Sequence, residues 1–353
     1  MYADTIVVSS YNNFKNLAHQ PKGIPCNVSL LILKNDLYKL QEVLGCYNPA
    51  FILKHPTEDL LYICCESIYK GNIITVSYDV FFNFKILGNI ETGKSTCYLE
   101  LDFELKNLLV VNYWDSEISI HPLVNDIPQK SIFNLPANLK FNDRKNHLID
   151  RQSESHNHSL TLFKTKSNQD IAFVPDLGLD LIRIFNYKNN KLIPNSLIKL
   201  EKNSGPRYIS VLMDHIYIVN ELNSTVIVFQ IIEEVDKKIT VKKVQIISTI
   251  PNDYNQYNTC GNICIDNTKK YLVVSNRGHN SLAVYKIDYF ILTLVSINSS
   301  NGKTPRHFCF TKSNNIVISN QDSGTIDLFN FYEGNLIYVE KINVNSPNFV
   351  LSI

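Results

Sequence analysis

Short apolar runs separated by polar turns dominate the chain: Leu60 to Cys64, Asn72 to Tyr78, Leu108 to Val111, Ile216 to Val219, Thr225 to Ile231, Tyr271 to Val274, Leu282 to Ile287, Ile316 to Ile318 and Thr325 to Phe329. They are of strand length, rich in β-branched and aromatic residues, and none sustains the period of an amphipathic helix. The pattern predicts β-strands throughout. The runs also recur in a fixed order. A small or proline-containing start leads into a short apolar strand, a polar turn, a second strand ending in a polar pair, and then a third. First strands start near Pro49, Thr96, Asn157, Pro206, Gly261 and Pro305. Second strands end in Cys65-Glu66, Asn112-Tyr113, Pro175-Asp176, Asn220-Glu221, Asn276-Arg277 and Asn320-Gln321.

Successive starts lie 44 to 61 residues apart, in the range of four-stranded propeller blades. Six copies are visible, and the two ends of the chain supply a seventh. Pro347 to Ile353 reads as an isolated first strand, whereas Thr5 to Ser10, Cys26 to Lys34 and Tyr38 to Leu44 read as strands two to four. The expected fold is an all-β, seven-bladed β-propeller with four-stranded antiparallel blades, forming one domain over residues 1–353. The C-terminal strand joins the N-terminal blade, which removes the sheet edges that an open ring would expose. The polar stretch 121–155, punctuated by Pro122, Pro128 and Pro136, is expected as a loop between blades.

Composition narrows the function classes. With 34 basic and 33 acidic residues the net charge is +1, so no general attraction draws the chain to nucleic acid or to an anionic membrane. At 44% hydrophobic and 19% charged, the chain has ample apolar area for a core. No apolar run approaches the length of a membrane span, and Asp4 stands where a secretory signal needs basic and then apolar residues, so a cytoplasmic location is expected. The eight cysteines form no CxxC pair and sit mostly inside apolar runs, as buried thiols do. The histidines and cysteines make no metal set: His156 and His158 lack a third ligand. No Gly-rich phosphate loop precedes a helix, so no metal and no cofactor are expected.

Because neighbouring strands are antiparallel, first-strand starts and second-strand ends share one rim of the ring. That register gathers His156, His158, Arg207, Arg306 and His307 with Glu66, Asp176, Glu221, Arg277 and Gln321. A channel mouth carrying arginines, histidines and carboxylates suits a small anionic ligand. The same groups can instead cap turns, Glu221 can pair structurally with Arg207, and Trp114 can equally wall a pocket or fill space between blades.

Further motifs run along the chain in blade order: Asn48-Pro49-Ala50-Phe51 with His55-Pro56, Leu109-Val110-Val111-Asn112-Tyr113, Arg151-Gln152 before His156-Asn157-His158, and Val174-Pro175-Asp176-Leu177-Gly178. Then come Gly205-Pro206-Arg207, Val219-Asn220-Glu221-Leu222, Ser275-Asn276-Arg277-Gly278-His279, Thr304-Pro305-Arg306-His307-Phe308 and Ser319-Asn320-Gln321-Asp322-Ser323. In that order the chain resembles, nearly end to end, the seven-bladed propeller lactonases. These include bacterial-type 6-phosphogluconolactonase and fungal carboxymuconate lactonizing enzyme.

The resemblance implies a catalytic quartet of His158, Glu221, Arg207 and Arg277, surrounded by substrate-binding Arg306, His307, His156, Glu66, Asp176 and Gln321. Ring opening needs a donor for the developing oxyanion, a base for water, and cations for the substrate's phosphate or carboxylate. Arginine suits the first and third tasks; His158 or Glu221 suits the second, with His158 preferred. The implied activity is hydrolysis of a small anionic sugar lactone, foremost 6-phosphoglucono-1,5-lactone. Lactonization of a carboxylated muconate and a non-catalytic binding scaffold are the alternatives. The expected partner is that small anionic lactone, with neither nucleic acid nor membrane. Cys97-Tyr98 stands where the family often has Cys-His, Asn262 where an acid is common, and Cys65 where an Asn ends the strand.

Overall fold

The computed structural model describes residues 5–26, 30–34, 37–41, 46–136 and 151–353. The apolar runs are strands: Asn72–Tyr78 has the expected bounds, and others, such as His215–Asn220 and Tyr271–Arg277, extend into flanking polar positions. They form an all-β propeller. Among the described residues, six sheets occupy 49–91, 96–135, 161–199, 206–248, 259–299 and 305–343, and a seventh is built from both ends of the chain. In that composite sheet Pro347–Ser352 pairs antiparallel with Ile6–Ser10, followed by Leu30–Lys34 and Leu37–Gln41. Residues 27–29 and 42–44, expected as parts of those strands, lie outside the described residues.

The stretch 121–155 corrects the expectation of a loop. Ile118–Val124 carries His121 and Pro122 within the third strand of its sheet. Two short strands, Ile127–Pro128 and Phe133–Leu135, both pair with it and share the place of the fourth, making this sheet five-stranded. Prolines are tolerated where an outer strand is broken, because few ladder N–H groups are needed there. Residues 137–150 lie outside the described residues.

Second strands such as Leu60–Cys65 and Asn107–Asn112 are buried along their whole length, because both of their faces meet neighbouring sheets. Apolar clusters therefore form between consecutive sheets. Ile171, Phe173 and Ile182 pack on Ile216, Ile218 and Ile227, and Val273 and Leu282 on Phe308 and Ile316. The circuit completes through the terminal sheet, with Ile6, Val8 and Val350 against Val317 and Ile326, and Val7 and Ile32 against Ile52 and Leu61. The cysteines are free thiols, buried or half-buried. Among the described residues no helix is long and apolar enough to cross a membrane.

One backbone feature positions the rim. Pro49 pairs with Cys65 but Phe51 with Cys64, which leaves Ala50 unmatched. The same register jump skips Cys97, Arg207 and Arg306, spans Gly261 and Asn262, and skips Asn348 in the composite sheet. Such β-bulges bend a strand and re-aim the extra side chain. In the 161–199 sheet an isolated bridge, Asn157 with Asp176, precedes the strand Thr161–Lys164 and sets His158 in the matching place.

Deleting residues 347–353 unpairs Ile6–Ser10 and strips Val350 from its cluster, so thermal unfolding is expected to shift down steeply or lose cooperativity. Ile6→Ala, which only removes buried methyls on the same seam, should cost about 2–5 kcal/mol in denaturant unfolding. Unchanged melting of the deleted chain would show that the seam between the termini does not hold the ring.

Candidate active site

Bulged residues and the residues after second strands converge on the axis. A cavity of about 440 Å³ takes wall residues from every sheet: Ala50 and Glu66, Cys97 and Tyr113, His158, Arg207 and Glu221, Arg277, Arg306 and His307, Asn348 and Phe349. In most sheets the pair that ends the second strand divides its labour. Its first member staples the backbone: Asn276 donates to the Thr249 carbonyl at 2.7 Å, and Asn320 to the Ser300 carbonyl at 2.9 Å. The following residue is delivered to the cavity, as with Tyr113, Glu221 and Arg277, and with Glu66 after Cys65.

Seven of the ten site residues expected from sequence line this cavity, namely His158, Glu221, Arg207, Arg277, Arg306, His307 and Glu66. Asp176, His156 and Gln321 do not. Asp176 bridges to Asn157 and so holds the stapling position, not the one after it. Its carboxylate pairs with Arg183 at 2.6 Å and accepts from the His156 N–H at 2.9 Å. His156 stacks on Tyr113 at 4.7 Å and serves as backing for that wall. Gln321 donates to Asp322 at 3.1 Å. Trp114 lines the cavity.

Charge is concentrated on Glu221, 1% exposed, which three guanidiniums approach: Arg151 at 2.6 Å, Arg207 at 3.0 Å and Arg277 at 2.9 Å. The contacts are close ion pairs, and the three cations neutralise the buried carboxylate. Burial alone would raise this carboxyl's pKa; Arg151, Arg277 and Arg207 overcome it and hold it well below the ordinary range. Glu221 is therefore a poor proton acceptor and a firm anchor for the arginines. Remaining donors hold the fork in place, with Arg207 on the Gly261 carbonyl at 2.6 Å and Arg277 on the Cys260 carbonyl at 2.6 Å.

Burial keeps the cavity histidines His158 and His307 neutral. Burial, then Arg207, holds His158 well below its usual value, and the same causes with Arg306 push His307 down to about 3. The His158 ring stands between Tyr113 and Tyr208, 5.3 Å from each, with Nδ1 buried and unpartnered. Glu66 behaves oppositely to Glu221: burial raises its pKa, and Arg306 and a 3.0 Å hydrogen bond from the Tyr11 hydroxyl only partly oppose this.

Local backbone chemistry fixes Arg207 and Glu221 together. Gly205 has φ +58, a region that favours glycine, and its carbonyl accepts from the Glu221 N–H at 2.7 Å. A Cβ there would lie 2.4 Å from Leu222 Cγ. Sequence reasoning left out Arg151, Tyr113, Tyr208, Tyr257 and Asn348, all of which line the cavity. The residue just after each strand start was a usable signal for Asn348; nothing in the blade spacing marks Arg151, which lies between blades. A larger groove of about 1160 Å³ runs along turns such as 102–107 and 188–190, on the opposite rim, and no arginine lines it.

Residues 6–352 match the sequence profile of the family described as Lactonase, 7-bladed beta-propeller. The chain belongs to that lactonase family. A protein of Lactococcus lactis subsp. cremoris is 31% identical over 307 residues, covering 84% of each chain, and is uncharacterized. A 6-phosphogluconolactonase of Bacillus subtilis is 24% identical over 302 residues, 82% of each. The solved structure of a periplasmic gluconolactonase of Pseudomonas aeruginosa superposes on this lactonase-family propeller with a TM-score of 0.82 over 99% of both chains at 19% identity, a likeness of fold.

Glu221→Gln leaves three buried or half-buried guanidiniums without their countercharge, and should destabilise the protein by about 3–5 kcal/mol. Because the folded pKa is depressed, Glu221's contribution is present above the unfolded value near ~4.3 and is lost as pH falls below it. Denaturant unfolding of both proteins should thus differ by a constant amount from pH 5 to 8 and converge in stronger acid.

Proposed function

We propose that the chain hydrolyses a phosphorylated sugar lactone, foremost 6-phosphoglucono-1,5-lactone, without a cofactor. The observation that carries this reading is the charge of the cavity: Arg151, Arg207, Arg277 and Arg306 face Glu66 and Glu221, leaving two positive charges in excess with the histidines neutral. A phosphate monoester carries about −1.5 to −2 at neutral pH, and that charge balances the excess. Family membership and the Bacillus subtilis 6-phosphogluconolactonase point to the same substrate class. The eight free thiols accord with a reducing cytosol.

The roles follow from what each arginine has left to give. Glu221 fixes Arg151, Arg207 and Arg277, with the Tyr113 hydroxyl holding Arg151 and backbone carbonyls holding the other two, so their remaining N–H groups are preorganised toward a developing oxyanion. Arg306 has no ion pair among the described residues and lies over the Tyr11 ring at 5.4 Å. It is the cation free to take the phosphate. His158, neutral and wedged between two tyrosines, offers a hydrogen bond to the sugar.

A panel of fresh 6-phosphogluconolactone, unphosphorylated gluconolactone and carboxymuconate tests the reading, with the uncatalysed rate subtracted. The phosphorylated lactone should be preferred, and Arg306→Ala should raise its KM roughly 10- to 100-fold, as loss of one charged hydrogen bond does, with little effect on gluconolactone. Turnover of carboxymuconate alone would move the activity to the lactonizing branch, and inertness toward all three would leave a binding scaffold.

A further inference from the structure

The cavity holds two carboxylates, and their surroundings divide them. Glu221 is surrounded by guanidiniums on both oxygens. Glu66 is delivered by the end of Leu60–Cys65, and its carboxylate has one hydrogen-bonding partner among the described residues, the phenol of Tyr11 on Oε2 at 3.0 Å, with none on Oε1. Tyr11 is itself fully buried and follows Ser10, the composite sheet's counterpart of the residues that end other second strands. The charged and titratable groups around Glu66 are Tyr11, Arg306 and Arg207, with the thiols of Cys64 and Cys97. Both thiols are pushed up by burial and stay protonated at neutral pH.

We propose that Glu66, oriented by the Tyr11 hydroxyl, is the general base of the lactone-opening reaction. Water adds to the lactone carbonyl as its proton passes to Glu66 Oε1. The tetrahedral intermediate then collapses with cleavage of the ring C–O bond, and the proton on Glu66 goes to the departing ring oxygen, which leaves as an alcohol. Glu66 is regenerated ionised, and the acid product gives its proton to solvent. A carboxylate whose buried site favours the protonated form is the stronger base, whereas Glu221 and His158 are both held at values too low to accept a proton readily. Divergent environments for two carboxyls in one cavity separate the anchor from the base.

The inference rests on the lactonase reading, and one set of measurements tells the two apart. Wild type, Glu66→Gln, Glu66→Asp and Tyr11→Phe are assayed on the panel lactone that wild type opens, across pH, with melting curves for each. Expected are a fall in kcat of ~10²–10⁴ for Glu66→Gln with KM within a few-fold, loss of the acid limb of kcat/KM, and partial recovery in Glu66→Asp. Tyr11→Phe should keep that limb and move it to higher pH, because the lost hydrogen bond favoured the ionised form. A folded Glu66→Gln with near-wild-type kcat, or with the wild-type acid limb intact, overturns the assignment while leaving the lactonase reading standing. Wild type inert on every lactone overturns both.

Discussion

The repeated bulge at the start of the first strands is the constraint on which the rest depends. A regular first strand would alternate its side chains between the two faces of its blade, and both faces are committed to apolar packing against neighbours. One inserted residue per blade escapes that alternation and is turned to the axis. Ala50, Cys97, Arg207, Arg306 and Asn348 are such residues. The chemistry of the axis is thus written at positions that the packing of the blades leaves free, so it can vary without disturbing the cores.

Gathering arginines at one axis carries its own cost. Like charges in a buried site repel, and Arg277 is pulled down to about 10 by burial together with Arg207, Arg306 and Arg151, with Glu221 opposing. Glu221 makes the cluster tolerable, and Gly261 makes it compact: a Cβ at that bulge would lie 2.9 Å from the Arg306 carbonyl, while its own carbonyl receives Arg207. Even with Glu66 counted beside Glu221, two carboxylates do not cancel four guanidiniums. What is left uncancelled is the attraction available to an anionic ligand.

The fold was largely legible because its signals are local and repeated. Strand-length apolar runs and polar pairs such as Asn220-Glu221 mark each blade, and the terminal fragments fit only together. The rim was half legible for the same reason. Register put Arg207, Glu221 and Arg277 on one end of the ring, but reading Pro175-Asp176 as equivalent to Asn220-Glu221 shifted that blade by one residue. Asp176 fell in the stapling position as a result. Arg151 stands in a motif, but it lies in a stretch between blades where no period applies, so nothing in the sequence assigns it to the site. The prolines of 121–155 suggest a loop from sequence because a broken outer strand and a loop share the same punctuation.

The seam between the chain ends lies at the site itself. Asn348 is the bulged residue of the last strand, and Tyr11 follows the strand that it pairs with. Ser9 donates to Asn348 at 2.7 Å, and the Asn348 amide donates on to the Pro49 carbonyl, at the start of the sheet that carries Glu66. The Tyr11 N–H donates to the Ser346 carbonyl at 3.0 Å, so the residue whose hydroxyl reaches Glu66 is held in place from the other end of the chain. Completion of the ring and completion of the cavity are then one event, because a propeller that lacks its last strand also lacks Asn348 and Phe349 from the cavity wall. A partly folded chain would hold its arginines on an open, wet rim, where their charge is screened and water competes for every donor.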